Sequence, residues 1–434
     1  MILRNSLQPA AETSDAEASS PKTPVNGPVM AAVTLLFFMW GLVTSLNDIL
    51  VPHLKAIFEL NYAEVMLVQF SFFSAYLIFA MPSGKIIEWA GYKRTIVLAL
   101  LTTGSGALLF IPAASVPSFP LFLAALTALG AGITALQVSA NPYVAFLGPS
   151  RTASSRLNLT QAFNSLGTTI GPFVGGWLIL SSAPKGIAET HRLSPAELHA
   201  YRLQEAAAVK IPYLVLAVAI FTLAVLIANS AIPAVAIDKR DLSARGSIWK
   251  RRRLVLGAIA IFVYVGGEVS IGSFLVNYLN QPDIGALPEN FAARYVSFYW
   301  GGAMAGRFVG AALLRRMATG ALLGIFATAA SALVFASVLT SGQAAMWSIL
   351  LIGLFNSIMF PSIFILAIDG LGPLTGKGSG LLVTAIVGGA VVPVLQGALA
   401  DQIGIHAAFI LPGLCYLYII YFALRGSVQP SAEH

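Results

Sequence analysis

The chain has 434 residues, of which 57% are hydrophobic and 10% charged, with a net charge of +7 and a mean hydropathy of +0.81. An ordinary soluble domain carries roughly 45–50% apolar and about 25% charged residues, so this composition excludes one and marks an integral membrane protein. The basic residues fall in loops between apolar runs, as topology demands and nucleic-acid binding does not, and the lone Cys415 excludes an intrachain disulfide.

Residues 1–27 are rich in Ala, Ser, Glu, Pro and Thr and lack an apolar core, which predicts a disordered cytoplasmic tail and no signal peptide. Apolar runs bounded by Gly, Pro and charge then place spans near 29–52, 63–86, 94–113, 118–147, 157–181 and 209–232. A second set falls near 254–280, 291–314, 320–340, 344–368, 379–400 and 405–424. Runs of about 20 residues without strand-type alternation are helices, so the fold class is an all-α membrane protein of twelve transmembrane helices. The organisation expected is a six-helix bundle over 28–232, a basic linker over 233–253, a second six-helix bundle over 254–426 and a short tail over 427–434. Eighteen of the 25 Lys and Arg residues fall on the side of the termini, six on the other, and Arg307 lies within a span. Both termini are therefore expected to be cytoplasmic.

The first span holds Asp48, an ionisable group at membrane depth, where even the lenient insertion scale charges about 3 kcal/mol. Such a carboxyl belongs against an aqueous cavity or a partner, on a solute or ion pathway. Trp40, Thr44, Asn47 and Asp48 share one helical face, as do Gln161, Asn164 and Thr168 on the fifth span. Gln69, Phe73 and Tyr76 form a third face, Thr134, Gln137 and Asn141 a fourth, and Tyr264 with Glu268 a fifth. Converging amides, hydroxyls and rings suit a hexose, whose hydroxyls both donate and accept while its C–H face stacks on aromatics. The competing reading is interhelical bonding at about 0.6 kcal/mol per pair. Gln161 and Asn164 are assigned to sugar, whereas Asn141 and Asn158, beside a Pro or a span end, are assigned to structure. Asp369 and Asp401 sit at span ends and should be solvated, and Arg307 should snorkel or pair near the end of its span.

The two halves repeat. Gly84 to Arg94 ends the second span and Gly306 to Arg316 the eighth, with the glycines 222 residues apart, and Leu147-Gly-Pro149 recurs as Leu371-Gly-Pro373 at an offset of 224. Asp48 and Glu268 lie 220 apart, in nearly equivalent positions of spans one and seven. Repeated six-span units place a substrate site between the halves near mid-membrane.

The loop Gly84 to Arg94 resembles the signature cytoplasmic loop of the major facilitator superfamily, with Glu88 where that family usually has Asp. The resemblance implies gating by Gly84, Glu88, Lys93 and Arg94, and by Arg315 and Arg316 in the repeat, through bridges between the halves. Phe37-Phe-Met-Trp-Gly41, Leu46-Asn-Asp-Ile-Leu50, Ala140-Asn-Pro-Tyr143 and Arg156 to Ser165 resemble the fucose and glucose/galactose permease family, a likeness that runs over nearly the whole chain after the tail. This implies a cation-coupled monosaccharide importer of the bacterial inner membrane, with Asn47, Asp48, Gln161 and Asn164 at positions that handle sugar and proton. The fucose type has an acid where Gln137 stands, a Tyr at Phe360 and an amide at Glu268, so the glucose/galactose branch is the nearer match.

The expected function is thus alternating-access import of a neutral hexose, with Asp48 and Glu268 coupling to a proton. Sugar would be bound by Asn47, Gln137, Gln161, Asn164, Trp40, Tyr264, Phe73 and Phe360. Sodium is the alternative cation, because the same residues offer hard oxygen ligands. An exporter and a non-transporting sensor are the rival classes. No histidine lies mid-span and no phosphate-binding glycine loop occurs, so neither a metal nor a cofactor is expected, and the partners are sugar, cation and bilayer, with the protein a monomer. Asn158-Leu-Thr160 fits a glycosylation sequon but opens a span from the cytoplasm.

Overall fold

The computed structural model describes residues 27–58, 62–116, 118–179, 193–230 and 246–426. Helices α1 (Gly27–Phe58), α2 (Tyr62–Ala90), α3 (Tyr92–Ser115), α4 (Phe119–Phe146), α5 (Ala153–Ile179), α6 (Pro195–Ala207) and α7 (Lys210–Asn229) form the first half. The second half holds α8 (Arg252–Leu279), α9 (Glu289–Leu313), α10 (Thr319–Leu339), α11 (Gly342–Asn356), α12 (Met359–Ile368), α13 (Thr375–Thr384), α14 (Gly388–Ile403), α15 (Ile405–Ala408) and α16 (Ile410–Tyr421). Three of its crossings are jointed, with α11 passing into α12, α13 into α14 through a 3-10 turn at Ala385–Val387, and α15 into α16.

Among the described residues ten helical stretches are long and apolar enough to cross a membrane. The other two crossings are α5 and α9, 27 and 25 residues long and the least apolar of the long helices. They meet each other between the halves, where polar side chains bond across the contact instead of facing lipid.

The repeat is visible in the packing. Pairs α1–α5, α2–α4, α3–α4 and α3–α7 of the first half recur as α8–α14, α9–α11, α10–α11 and α10–α16 of the second. The close approaches recur as well. A Cβ on Gly167 would collide with Phe38 O on α1, and one on Gly388 with Phe262 O on α8. Leu147-Gly-Pro149 and Leu371-Gly-Pro373 each lead from a span through a single 3-10 turn, at Ser150–Thr152 and Gly372–Leu374, into the next. In the first of these turns the Arg156 guanidinium donates to the carbonyls of Val144, Ala145, Gly148 and Pro149, at 2.7–3.2 Å, which ties the loop to α5.

Helix α6 lies where hydrophobic runs mark only a connection. Ser194 Oγ accepts from Glu197 N, Glu197 Oε2 accepts from Ser194 N at 2.8 Å, and Pro195 supplies a preset φ at the first position. A helix start of this kind needs no apolar run, which is why span-finding passes over it.

The face at which α1 begins and α16 ends is called the terminal face below. There the halves are clamped together. α2 packs on α13 and Ala385–Val387, α4 on α13, and α5 on α9 and α12. Ser155 Oγ donates to Ala311 O at 2.6 Å, Ser379 Oγ to Val138 O at 2.7 Å, and Lys377 pairs with Glu88 at 3.0 Å.

Candidate functional site

The polar side chains of the first half lie close to one another but are mostly engaged within it. Gln161 Nε2 donates to Asn141 Oδ1 at 3.3 Å, Gln137 Nε2 to Tyr76 Oη at 2.8 Å and Asn164 Nδ2 to Phe37 O at 2.9 Å. Gln137 and Gln161 are only 4% and 5% exposed, and Trp40 is buried with its ring 5.3 Å from that of Phe37, whereas Asn164 and Phe73 are half-buried. The side chains of Asn47, Asp48 and Gln69 lie outside the described residues, although the backbone at all three is helical.

The second half supplies a denser cluster around Glu268. The Tyr264 hydroxyl lies 2.7 Å from Glu268 Oε1 and 3.1 Å from Asn356 O. Asn356, fully buried where α11 ends, donates from Nδ2 to Tyr299 Oη at 2.7 Å and accepts at Oδ1 from the Tyr416 hydroxyl at 2.7 Å. Tyr299 Oη in turn donates to Glu268 O at 3.3 Å. Tyr264, Tyr299, Asn356 and Tyr416 are buried, and Glu268 is half-buried. Phe360 is half-buried one joint away, beside Phe364.

Arg307 joins the two sets. Of the two arrangements expected for it, snorkelling or pairing near the end of its span, it takes partners within the protein. Its Nη1 donates to Ser165 Oγ and to Gln161 O at 3.5 Å on α5, and its Nε to Ser357 O at 3.2 Å in its own half. The neighbouring α5–α9 contact carries Thr169 and Met304 together and stacks Phe163 edge-on to Phe308. A guanidinium has less need to snorkel where protein acceptors are within reach, and Arg307 has three.

Of the expected gating residues, Gly84 and Glu88 reach the other half: a Cβ on Gly84 would lie 2.6 Å from Gly376 O, and Glu88 pairs with Lys377. Lys93 does not cross, since its Nζ donates to Ser230 O at the end of α7, and Arg94, Arg315 and Arg316 are exposed with no ion pair among the described residues. Asn141 and Asn158 are fully buried; Asn141 Oδ1 accepts from Gln161 and Asn158 donates to Ser154 O at 2.9 Å. Asp369 is half exposed yet pairs with Arg253 at 3.2 Å. Sequence reasoning passed over Asn356 and the tyrosines 299 and 416. An amide and a hydroxyl in the apolar run Phe355-Asn-Ser-Ile358 carry the same signal as Asp48 and mark the place.

The residues from 32 to 386 match the family model described as Major Facilitator Superfamily. The chain belongs to the major facilitator superfamily. Within it, the chain is 52% identical over 413 residues to a glucose/galactose transporter of Brucella abortus, covering 95% of this chain and 96% of that one. It is 34% identical over 402 residues to the L-fucose-proton symporter of Escherichia coli, covering 91% and 92%. A crystal structure of a major facilitator transporter, FucP, in the outward conformation superposes with a TM-score of 0.85 at 33% identity, over 92% of this chain and 99% of that one. As in other members of the superfamily, this is a multi-pass membrane protein.

Proposed function

We propose that the protein imports a neutral hexose of the glucose/galactose type together with a proton, by alternating access. The observation that carries this reading is the 52% identity, over nearly the full length, to a protein named glucose/galactose transporter. The L-fucose-proton symporter relative supports the proton as co-substrate. The clamped face is the cytoplasmic one, by the Lys and Arg asymmetry, so both termini are cytoplasmic and the site is reached from outside. The membrane is the bacterial inner membrane, and the protein acts as a monomer.

Sugar enters between the halves and is held by Gln161, Asn164, Asn47 and Gln137, with Trp40, Tyr264, Phe73 and Phe360 as apolar walls. Gln161 and Gln137 exchange their present partners, Asn141 and Tyr76, for sugar hydroxyls at little net cost, since one hydrogen bond replaces another. Asp48 and Glu268 take up protons before the halves rock, because moving a bare carboxylate through a closing apolar contact is far more costly than moving a neutral acid. Gly84 and Glu88 hold the cytoplasmic face shut while this happens. Uptake of labelled glucose, galactose and their neighbours into proteoliposomes, with pH and sodium varied separately, tests the reading. Concentrative uptake driven by an inward proton gradient is expected. A folded protein that moves no monosaccharide, or that needs sodium and ignores the proton gradient, would refute it.

A further inference from the structure

Arg307 is a cation at membrane depth whose named acceptors are neutral oxygens, and two of those three belong to the opposite half. That arrangement survives only while the halves are clamped. When the terminal face opens, α5 withdraws Gln161 O and Ser165 Oγ, and Arg307 keeps Ser357 O alone. A guanidinium at this depth then needs an anion. The Glu268 carboxyl is on the same half and in the same bonded cluster: Arg307 Nε holds Ser357 O, and the neighbouring Asn356 O takes the Tyr264 hydroxyl that also lies 2.7 Å from Glu268 Oε1. Among the described residues, the titratable or charged groups facing Glu268 are Tyr264 on its own helix, Tyr299 and Arg307 on α9, and Tyr416 on α16, and Arg307 is the cation of that set.

We propose that Arg307 is a state-dependent counterion of Glu268, held by α5 when the terminal face is closed and released to the Glu268 carboxylate when it opens. This rests on the coupling role given to Glu268 above. On opening, Glu268 gives its proton to water on the terminal side and the carboxylate pairs with Arg307. On closing, Arg307 returns to Ser165 and Gln161 O, and Glu268 takes a proton from the opposite side. Through Glu268 each cycle thus moves one proton inward with no other reactant.

The Tyr264 hydroxyl supports the exchange because it has a single hydrogen and two acceptors within reach. With Glu268 protonated, the carboxyl donates to Tyr264 Oη and Tyr264 donates to Asn356 O. With Glu268 ionised, Tyr264 turns its hydrogen to Oε1. Both protonation states are therefore accommodated without a movement of the backbone. The contact of Arg307 with Gln161 O also places the switch on the turn of α5 that carries the proposed sugar ligands.

The test uses the full chain in proteoliposomes, with a lumenal pH dye reporting protons and labelled galactose reporting sugar. Wild type, Glu268→Gln, Arg307→Met, Arg307→Lys and the Glu268→Gln/Arg307→Met double variant are compared for proton-coupled uptake and for counterflow. In Arg307→Met the ratio of coupled uptake to counterflow is expected to fall roughly tenfold, as when one pKa unit of stabilising interaction is removed. Arg307→Lys should restore most of that ratio, and in the Glu268→Gln background the Met substitution should add nothing. Parallel loss of uptake and counterflow in both backgrounds would make Arg307 a packing residue and overturn the proposal, as would an unchanged ratio. Should Glu268→Gln alone leave proton flux and affinity intact, the coupling role of Glu268 itself fails. Infrared difference spectra give a readout independent of transport. The protonated-carboxyl band that Glu268→Gln removes should be present in wild type and absent in a Gly84→Val protein held open at that face, and a band of equal size in both would overturn the proposal.

Discussion

Ser155 and Ser379 occupy equivalent places in the two halves, 224 residues apart like the two Leu-Gly-Pro turns beside them, and each donates its hydroxyl across the interface to a carbonyl of the opposite half. The clamp at the terminal face is thus built twice from one repeated position. Both donors are buried, and each bond should stabilise the closed arrangement by about 1 kcal/mol. The two lie on separate helix pairs, so their effects should add. We expect Ser155→Ala/Ser379→Ala to open the face more often than either single change. A cysteine placed at Ile87, which is fully buried against Gly376, reports the opening when Cys415 is replaced by Ala. Its alkylation rate should rise by roughly tenfold or more in the double variant, given about 2 kcal/mol of lost stabilisation.

Gly84 makes a harsher prediction. A methyl group there would sit 2.6 Å from Gly376 O, and both are backbone positions in packed helices that cannot yield locally. Gly84→Val should reach the membrane folded, since each half keeps its own core, yet fail to close the face. Transport should be lost, and the cysteine at position 87 should be modified as fast as in detergent-opened protein. Normal uptake by Gly84→Val would show that α2 and α13 need not touch during the cycle.

Gln161→Ala should weaken sugar binding by about 1–3 kcal/mol, the cost of leaving a sugar hydroxyl without its partner. The same change removes the bond to Asn141 Oδ1, so thermal stability is to be measured alongside affinity. Loss of affinity at unchanged melting temperature identifies a sugar ligand. Loss of stability at unchanged affinity identifies a bond that holds α5 to α4.

Asp48→Asn should abolish accumulation against a gradient while sparing exchange, because the amide mimics a permanently protonated acid. Active accumulation by a well-expressed Asp48→Asn protein would remove Asp48 from coupling. The comparison with Glu268→Gln then assigns the proton: a shifted pH profile at unchanged affinity means coupling, and lost affinity at an unchanged profile means a sugar contact.

Much of this architecture is legible in the sequence because bilayer crossings and internal repeats are local, periodic signals. The apolar runs locate the crossings, and the recurrent Gly-basic and Leu-Gly-Pro loops show two like units before any contact is known. The helical faces of Gln161 with Asn164 and of Tyr264 with Glu268 follow from spacing in the same way. What spacing does not carry is the partner. That Gln137 meets Tyr76, that Lys93 turns to Ser230 within its own half, and that Arg307 reaches across to Ser165 depend on packing between elements far apart in the chain. Helix α6 was hidden for another reason, since its start is written in a capping box and its surface is polar.

The polarity of α5 and α9 has a consequence for how the protein is made. A translocon sorts each segment by its own hydropathy, and these two carry Arg156, Asn158, Gln161 and Asn164 in one case and Arg294 and Arg307 in the other. Neither should settle in lipid as readily as its neighbours when it first emerges from the ribosome. The α5 segment would have to wait about 130 residues of synthesis for α9, at roughly 5–20 residues per second a delay of order ten seconds. Biogenesis of the first half therefore passes through a stage in which its fifth span is shielded only by helices of its own half or by a chaperone, and a truncation ending before α9 should be degraded faster than one ending after it.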